Sequence, residues 1–511
     1  MTLVPPRKLR VLVNSASGIG TVLVNVIFVF WLYQYLLARV PAEEFAIYPL
    51  ISMLLLLVPF IISSYASALS RSVITAYSEG RPDEVMRSHS SLVFALMGFV
   101  AVLLLVGSIG AMHIDWFLSI DPEMLGKAKI MALLVLIELS LTVFVVPFTI
   151  AYEVRQVFFL RDAINVGLNL LKICLTFAFL FGVSTSVVWV PLASCLTAGA
   201  GAVINIIVAQ RILPEFRPSL HRFSLAAVRD MLSFGFWTTL GGVALFIHQG
   251  AAIFLLNLFG TPQQVNGFFI GTIFERRMTS VMGMALAPIQ PVMVAMAAQG
   301  NLPQLGKTYA RGGRYALWLS MAIGTPGIVY AQEFITLYLG PDHAATGQVM
   351  QIMFLTFPFA YASGLLSRVV IALGELRSFF LHAVLSGLAI AAGVFLVLTL
   401  TDYGLLGVAL AVLAVHIIWQ LGVFWPMGLK LTGLRWSEFL RDTVVKGLLP
   451  SLGGLCIWLP LKYAGLADGW AGFLSCGFVG GLAYCSTVAL FCLTREERSQ
   501  LSARVRARRA T

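Results

Sequence analysis

The sequence predicts an all-α polytopic membrane protein with about 14 transmembrane helices. Of its 511 residues, 59% are hydrophobic and only 11% are charged, whereas soluble domains carry about 25% charged residues. Apolar runs long enough to cross a bilayer, which takes about 20 residues, recur along the whole chain. The connections between these runs are alternately rich and poor in lysine and arginine, as expected when successive loops lie on opposite sides of a membrane.

Fourteen apolar segments are predicted as spans. Their approximate limits are 11–38, 43–69, 90–112, 130–152, 163–182, 186–209, 232–258, 266–297, 313–334, 346–373, 378–400, 404–428, 443–461 and 469–493. The first is longer than the roughly 7–15 apolar residues of a signal peptide, and no small-residue cleavage site follows, so it is predicted to remain. The six cysteines lie in apolar runs without a CxxC pair, so we predict no disulfide framework, metal site or cofactor.

The cations set the predicted orientation. With these spans, 26 of the 34 lysine and arginine residues fall on one side, 4 on the other and 4 inside spans. Because cytoplasmic loops are enriched in lysine and arginine, both termini are predicted to be cytoplasmic. The net charge of +11, including the basic tail "RARRAT", is then better explained by anionic lipid than by nucleic acid, and no nucleic-acid partner is expected.

A weak internal repeat divides the predicted spans into halves. The stretch "PAEEFAIYPLI" from Pro41 corresponds to "TPQQVNGFFIG" from Thr261, and "PFTIAYEVR" from Pro147 corresponds to "PFAYASGLLSR" from Pro358. Each half has six spans, so both halves enter the membrane from the same side, which is a known construction of transporters. We therefore predict an N-lobe at residues 1–230, a C-lobe at 231–430, and two further spans with the basic tail at 431–511.

The sequence lacks the motifs of several other classes of membrane protein. The chain has no Walker A lysine loop for ATP hydrolysis, no selectivity-filter signature, and no Gly/Asp/Arg-rich loop of a major-facilitator transporter between spans 2 and 3. A membrane glycosyltransferase or ligase usually carries catalytic carboxylates on sizeable extracytoplasmic loops, whereas these loops are short, and that class is kept only as an alternative. No catalytic residue is predicted, and the chain is not expected to be an enzyme.

One protein family has a similar order and spacing of loops and apolar helices. The stretches "VPAEEFAIYPLISMLLLL" and "SSYASALSRSVITAYSEGRPDEV", and later "LNLFGTPQQVNGFFIGTIF" and "VIALGELRSFFLHA", resemble the lipid-linked oligosaccharide flippases of the polysaccharide transporter family. That family belongs to the multidrug/oligosaccharidyl-lipid/polysaccharide (MOP) superfamily of exporters, and the likeness covers nearly the whole chain. Span 7 departs from many relatives, because it carries His248 and Gln249 where they have a carboxylate, so their coupling ion is not carried over.

The resemblance implies two lobes around a central cavity that opens alternately to either side. It also implies a cargo, an oligosaccharide on a polyprenyl diphosphate, moved to the periplasmic leaflet of a bacterial inner membrane for O-antigen (lipopolysaccharide), capsule or exopolysaccharide assembly. The expected partners are this lipid-linked glycan, membrane lipid, a polysaccharide polymerase and glycosyltransferases. A peptidoglycan lipid-precursor flippase and a multidrug/cation antiporter of the same superfamily remain alternatives.

Span 8 contains the charged stretch "IGTIFERRMTS". Each such charge at the centre of a span costs roughly 2.5–3.5 kcal/mol, and residues 275–277 are predicted to lie roughly 12–15 Å deep at 1.5 Å per residue. Arg276 shares a polar stripe with Thr272 and is the first choice to face a wet cavity, with Glu275 compensating it, while Arg277 is ambiguous. Guanidiniums suit a diphosphate headgroup because they form charge-assisted hydrogen bonds. A structural Glu275–Arg276 salt bridge is the alternative.

Further polar residues complete the predicted site. The other candidates for substrate binding are Asn14, Asn25, Arg71, Lys172 and Arg368, and the candidates for ion coupling are His248, Glu138 and Glu275. Each has a structural alternative, since Lys172 can pair with Glu138, Arg368 can snorkel to a cytoplasmic end and Arg71 can anchor its helix. Cations outnumber acids inside the spans, which favours an anionic cargo over a cationic one.

Overall fold

The fold is helical throughout the part of the chain that the structure covers. The structure, a computed structural model, describes residues 24–493 and 497–498, without the side chains of residues 57, 59, 60, 62–68, 71 and 230–239. Within these residues the backbone forms helices and turns and no β-strand. The predicted all-α fold class is confirmed.

The chain divides into two compact units, the first ending at Asn266 and the second beginning at Gly267. The first contains α1 (Val24–Leu37), α2 (Ala42–Ser52), α3 (Val58–Ser78), α4 (Pro82–Met112), α5 (Leu125–Val154), α6 (Phe158–Gly182), α7 (Trp189–Ile212) and α8 (Leu225–Phe259). Helix α9 (Pro262–Gly271) crosses the boundary. The predicted lobes at 1–230 and 231–430, and the repeat that relates them, stay predictions.

The second unit contains both long helices and short, interrupted ones. Its helices are α10 (Ile273–Leu286), α11 (Ile289–Ala298), α12 (Leu302–Leu339), α13 (Ala344–Phe354), α14 (Phe357–Ala362), α15 (Leu366–Leu373), α16 (Leu376–Leu400), α17 (Gly404–Trp419), α18 (Trp425–Thr432), α19 (Trp436–Phe439), α20 (Lys446–Tyr463) and α21 (Gly469–Thr487). Helical turns with π geometry interrupt or extend three of the predicted spans, at Gln420–Phe424, Leu440–Val445 and Val488–Cys492.

The described helices largely match the predicted spans. Among the described residues, ten helical segments, some of them made of several consecutive helices, are long and apolar enough to cross a membrane. An eleventh span results if the bent pair Pro262–Leu286 and Ile289–Ala298 is counted as one. Three predicted spans lie outside this set. The span 11–38 is described only from Val24, the first residue of α1. The span 43–69 coincides with α2 and the first part of α3, and the span 313–334 lies within α12. Helix α12 carries Lys307, Arg311 and Arg314 in its first turns and continues without interruption through the predicted span.

Local sequence signals explain several helix ends. Pro82 stands in the first turn of α4 together with Asp83 and Glu84, where proline is tolerated and acidic side chains favour the helix dipole. The side chain of Asn301 accepts a hydrogen bond from the Gln304 amide at 3.2 Å and so caps α12. Gly374 ends α15 with a φ of +80°, a conformation that glycine adopts without a steric penalty.

Each unit has its own apolar core. In the first unit α3, α4 and α5 bury a cluster that includes Leu92, Val143 and Phe148, closed by Phe216 from the turn after α7. In the second unit the start of α12 approaches α14 so closely that a Cβ on Gly313 would collide with the Ala362 carbonyl. The tight contact explains why a glycine stands at this position of α12.

Candidate functional site

The segment that carries Glu275, Arg276 and Arg277 is a broken helix. Helix α9 ends at Gly271, α10 begins at Ile273, and the axis of 262–286 bends by 56° from that of α11. The bend follows Pro288, which has no amide hydrogen to continue the ladder of backbone hydrogen bonds. Broken helices expose backbone carbonyls that need other partners, and in membrane proteins they occur where the backbone is buried in protein or lines a cavity.

Arg276 bridges the first break. Its guanidinium donates to the Thr272 hydroxyl at 2.7 Å and to the Phe269 carbonyl in the last turn of α9. The same group lies 4.3 Å from the centroid of the Phe269 ring, within the range of a cation–π interaction. Part of the hydrogen-bonding capacity of Arg276, the sequence's first choice for a wet cavity, is therefore used within the α9–α10 break.

Glu275 and Arg277 differ from each other in their surroundings. Both side chains are half-buried. The Glu275 carboxylate lies within electrostatic range of the Arg276 guanidinium, in keeping with the compensating role that the sequence suggested. Arg277 has neither a hydrogen bond nor an ion pair with any residue that the structure describes. Arg277 is thus the guanidinium of this segment whose donors are available to a ligand.

Arg368 attaches α15 to the second break. Its guanidinium donates to the carbonyl groups of Leu286 and Gly283, both at 3.0 Å, in the last turn of α10. In return, the side-chain amide of Gln290 donates to the Arg368 carbonyl at 3.3 Å. Carbonyls in the last turn of a helix lack partners within the helix, so Arg368 acts as a cap supplied by a neighbouring helix.

In the first unit, Lys172 on α6 lies within electrostatic range of the Glu138 carboxylate on α5. Tyr48 on α2 and Cys195 on α7 are also within electrostatic range of Glu138. Whether Glu138 and Lys172 form the structural pair considered from the sequence stays a prediction. One carboxylate oxygen of Glu138 is buried without a hydrogen-bond partner in the described residues.

The remaining predicted site residues are dispersed. Asn25 on α1 donates to the side-chain oxygen of Asn169 on α6 at 3.5 Å. His248 is half-buried on α8. Asn14 and the side chain of Arg71 lie outside the part of the chain that the structure describes. Glu275, Arg276 and Arg277 thus lie at the first break, at the start of α10, whereas Arg368 contacts the end of α10, and Lys172 is within electrostatic range of Glu138.

An apolar cavity adjoins the charged segment, and sequence reasoning did not anticipate it. Its volume is about 270 Å³, and Phe274, the residue before Glu275, forms part of its wall. The other walls come from α12, α13 and α21, including Phe334, Phe354 and Phe473. The aromatic character of positions 274 and 334 is visible in the sequence, but their meeting depends on how three helices pack.

A second feature missed by the sequence is a basic cavity at the beginning of α12. The spacing of Lys307, Arg311 and Arg314 is the available signal, because residues at such intervals share one face of a helix. In the sequence these residues are otherwise part of the cation distribution that predicts the orientation.

Comparison with solved structures identifies proteins that have a similar fold. No protein-family model matches the chain, and no curated protein matches its sequence significantly. A structure titled "Lipid II flippase MurJ, inward closed conformation" is 16% identical and superposes with a TM-score of 0.70, covering 94% of this chain and 98% of that one. An inward-facing multidrug resistance MATE family transporter of the MOP superfamily is 12% identical, with a TM-score of 0.66 over 79% of this chain and 94% of that one. The chain has the fold of these transporters.

A third neighbour has the same architecture. It is a MOP superfamily transporter from Pyrococcus furiosus, described as having a binding pocket of reverse polarity. Its identity is 12% and its TM-score 0.61, over 83% of this chain and 95% of that chain. At identities this low the three likenesses establish the architecture, while the cargo has to be argued from the residues of this chain.

Proposed function

We propose that this protein is a flippase that moves a polyprenyl-diphosphate-linked oligosaccharide across a bacterial inner membrane, from the cytoplasmic to the periplasmic leaflet. The observation that carries the proposal is Arg277, a half-buried guanidinium without a hydrogen-bond or ion-pair partner among the described residues. A half-buried guanidinium without a counter-charge leaves its donors available, and a diphosphate headgroup would supply a negative charge through charge-assisted hydrogen bonds.

The apolar cavity beside this segment supports a lipid-linked cargo. Phe274 lines the cavity and precedes Glu275 in the chain, so a hydrocarbon environment and a guanidinium lie within one turn of α10. A cargo with an anionic headgroup and an isoprenoid chain needs both surroundings, a guanidinium for the headgroup and apolar side chains for the isoprenoid chain. A small cationic drug would instead favour acidic residues, and in this segment Glu275 already lies within electrostatic range of Arg276.

A second candidate cargo is a peptidoglycan lipid precursor. The observation in its favour is the structure titled as a lipid II flippase, which matches 94% of this chain. Both cargoes carry a polyprenyl diphosphate, and Arg277 would contact that shared group. They differ in the headgroup beyond the diphosphate, which is an oligosaccharide in one case and an amino sugar with a peptide in the other.

The test is transport in right-side-out membrane vesicles. One preparation contains a lipid-linked oligosaccharide, detected at the outer face with a membrane-impermeant lectin, and another contains a lipid-linked sugar–peptide, detected with an impermeant amine-reactive reagent. We expect the wild type to expose the oligosaccharide. Arg277→Ala is expected to slow exposure about tenfold or more, because hydrogen bonds to charged groups contribute about 1.5–3 kcal/mol.

Two control variants distinguish a loss of transport caused by the missing charge from one caused by misfolding. Arg277→Lys keeps the positive charge and should retain part of the rate, while Arg377→Ala removes an exposed arginine at the start of α16 and should have no effect. Exposure of the sugar–peptide alone would favour the peptidoglycan-precursor function. If neither lipid appears outside and a cationic dye is extruded instead, the protein is a cation exporter and the proposal is wrong.

A further inference from the structure

A polar cavity of about 330 Å³ lies at the beginning of α12 and carries an excess of positive charge. Its cationic lining residues are Lys307, Arg311, Arg314, Arg441 and Lys446. The acidic ones are Glu438 and Asp442, and Asp442 is engaged by Arg441 at 2.7 Å and by Lys446 at 2.6 Å. The cavity belongs entirely to the second unit and shares no lining residue with the candidate cargo site.

Two walls build this cavity. One is the first part of α12, and the other is the π-helical turn Leu440–Val445 with the start of α20. The Thr443 hydroxyl donates to the Ala310 carbonyl at 3.0 Å and is fully buried, which fixes the distance between the walls. Such π-helical turns are rare and frequently mark functional sites.

Some hydrogen-bond donors that line the cavity lack an acceptor among the described residues. Arg314 is only 4% exposed, yet its Nε has no hydrogen-bond partner among the described residues. Lys307 also lacks a carboxylate partner within that part of the chain. A buried guanidinium donor without an acceptor is costly, and an anionic ligand in the cavity would remove that cost.

The chain itself supplies one anion at this position. The carboxylate of Glu497, from the C-terminal segment, accepts hydrogen bonds from Arg314 and from the Tyr315 hydroxyl. It also lies 3.8 Å from Arg311. The arrangement of these donors is therefore suited to oxyanions, and a second anion entering the cavity would meet Glu497 as a competitor for Arg314.

The surroundings indicate a lipid rather than a free ion. Leu440 and Val445, on the same π-helical turn as Arg441, are 41% and 59% exposed. Helix α12 has 38 residues, which gives about 57 Å at 1.5 Å per residue, against about 30 Å for the hydrocarbon layer. Its first turns can thus lie at headgroup level, on the side that the lysine and arginine pattern predicts to be cytoplasmic.

We propose that this basic cavity binds the phosphate of an anionic phospholipid headgroup from the cytoplasmic leaflet, with the acyl chains lying along the exposed apolar side chains of the neighbouring turn. Arg and Lys recognise phosphate by charge and by directed hydrogen bonds, and basic pockets between membrane helices on the cytoplasmic side are suited to such headgroups. The site is separate from the flippase proposal, so either can fail alone.

The test measures lipid binding to the purified full-length protein in detergent by native mass spectrometry. Short-chain phosphatidylglycerol, short-chain phosphatidylcholine and inorganic phosphate are the three probes. We expect phosphatidylglycerol to bind well above phosphatidylcholine, and Lys307→Gln to weaken it about fivefold, the effect expected of one cation near an anionic lipid. Arg435→Gln removes an exposed cation that does not line the cavity and should leave binding unchanged.

Glu497→Gln tests the proposal by an expected gain of lipid binding instead of a loss. Because it removes the competing charge from Arg314, it is expected to strengthen phosphatidylglycerol binding, a result that general misfolding does not produce. Equal binding of the two lipids, or equal losses in Lys307→Gln and Arg435→Gln, would overturn the proposal. Displacement of phosphatidylglycerol by equimolar inorganic phosphate would assign the cavity to a free anion instead of a lipid and would also overturn it.

Discussion

Arg368 and Leu286 are joined across two helices, because the Arg368 Nε donates to the Leu286 carbonyl at 3.0 Å. The second donor of the same guanidinium reaches the Gly283 carbonyl, also at 3.0 Å. Both acceptors lie in the last turn of α10, just before the bend at Pro288. A single side chain on α15 thus satisfies two carbonyls at the end of α10.

The first prediction concerns this cap. Arg368→Gln is expected to destabilise the protein by about 1–3 kcal/mol, since two carbonyls at the end of α10 lose their charged donor, and Arg368→Lys should recover part of the loss. The measurement is the midpoint of thermal unfolding in detergent. Arg377→Gln, a change in an exposed arginine at the start of the next helix, is the control. A normal unfolding midpoint combined with weakened cargo binding would instead make Arg368 a ligand residue.

The second prediction concerns the bridge at the first break of this span. Thr272→Val removes the hydroxyl that accepts from Arg276 at 2.7 Å while nearly keeping the shape of the side chain. The hydroxyl also donates to the Phe268 carbonyl at 2.9 Å and to the Phe269 carbonyl at 3.2 Å, so we expect a loss of about 1–2 kcal/mol. The same change in an Arg276→Gln background should cost less, because the Arg276 donor is already gone. A double-mutant cycle of unfolding midpoints measures this coupling. Strictly additive losses would show that the two side chains do not interact.

The architecture was largely predictable, because the bilayer imposes strong rules on sequence. Apolar length and the distribution of cations are enough to find spans such as those of α5 and α16. After Lys307, Arg311 and Arg314, α12 also holds glycine, proline and polar side chains, so it is less apolar than these helices, although it is continuous through the predicted span. The helix extends beyond the apolar run, and hydropathy alone does not place such an extension.

The partners of the site residues were less predictable. A helical wheel treats 266–297 as one regular helix, and on that assumption Arg276 points to a polar stripe. At the break the Phe269 carbonyl accepts from the Thr272 hydroxyl and from Arg276, which turns back towards α9. Likewise, the partners of Arg368 are carbonyls created by a helix end some 80 residues earlier in the chain. Main-chain acceptors carry no sequence signature, so only the folded backbone reveals them.

The third prediction concerns Glu44, a buried carboxylate at the start of α2. It accepts hydrogen bonds from the Ser186 hydroxyl at 2.6 Å and the Val187 amide at 2.8 Å, and it forms an ion pair with Lys127. It therefore links α2, the start of α5 and the turn before α7. Glu44→Gln keeps the size of the side chain but loses its charge, and we expect a destabilisation of about 1–3 kcal/mol.

The adjacent residue offers a matched control. Glu43 is half-buried and has no hydrogen-bond or ion-pair partner among the described residues, so Glu43→Gln makes the same chemical change with little expected effect. Thermal unfolding of both variants provides the comparison. Equal midpoints for the two variants would contradict a linking role for Glu44.

The fourth prediction concerns Glu138 and Lys172 in the first unit. One oxygen of Glu138 is buried without a hydrogen-bond partner in the described residues, and the Lys172 charge acts on this carboxylate. Removing one of two interacting opposite charges leaves the other uncompensated, whereas replacing both partners can be nearly neutral. Lys172→Gln alone should therefore destabilise the protein more than Glu138→Gln and Lys172→Gln together.

The same variants test the role of Glu138 in ion coupling, which stays a prediction. If the pair is purely structural, the double variant should transport the cargo at the wild-type rate with an unchanged dependence on pH and sodium. If Glu138 carries the coupling ion, the double variant should remain folded yet lose that dependence, because a glutamine cannot exchange a proton or hold a cation by charge. Transport in vesicles with imposed pH or sodium gradients, compared with thermal unfolding of the same preparations, separates the two roles.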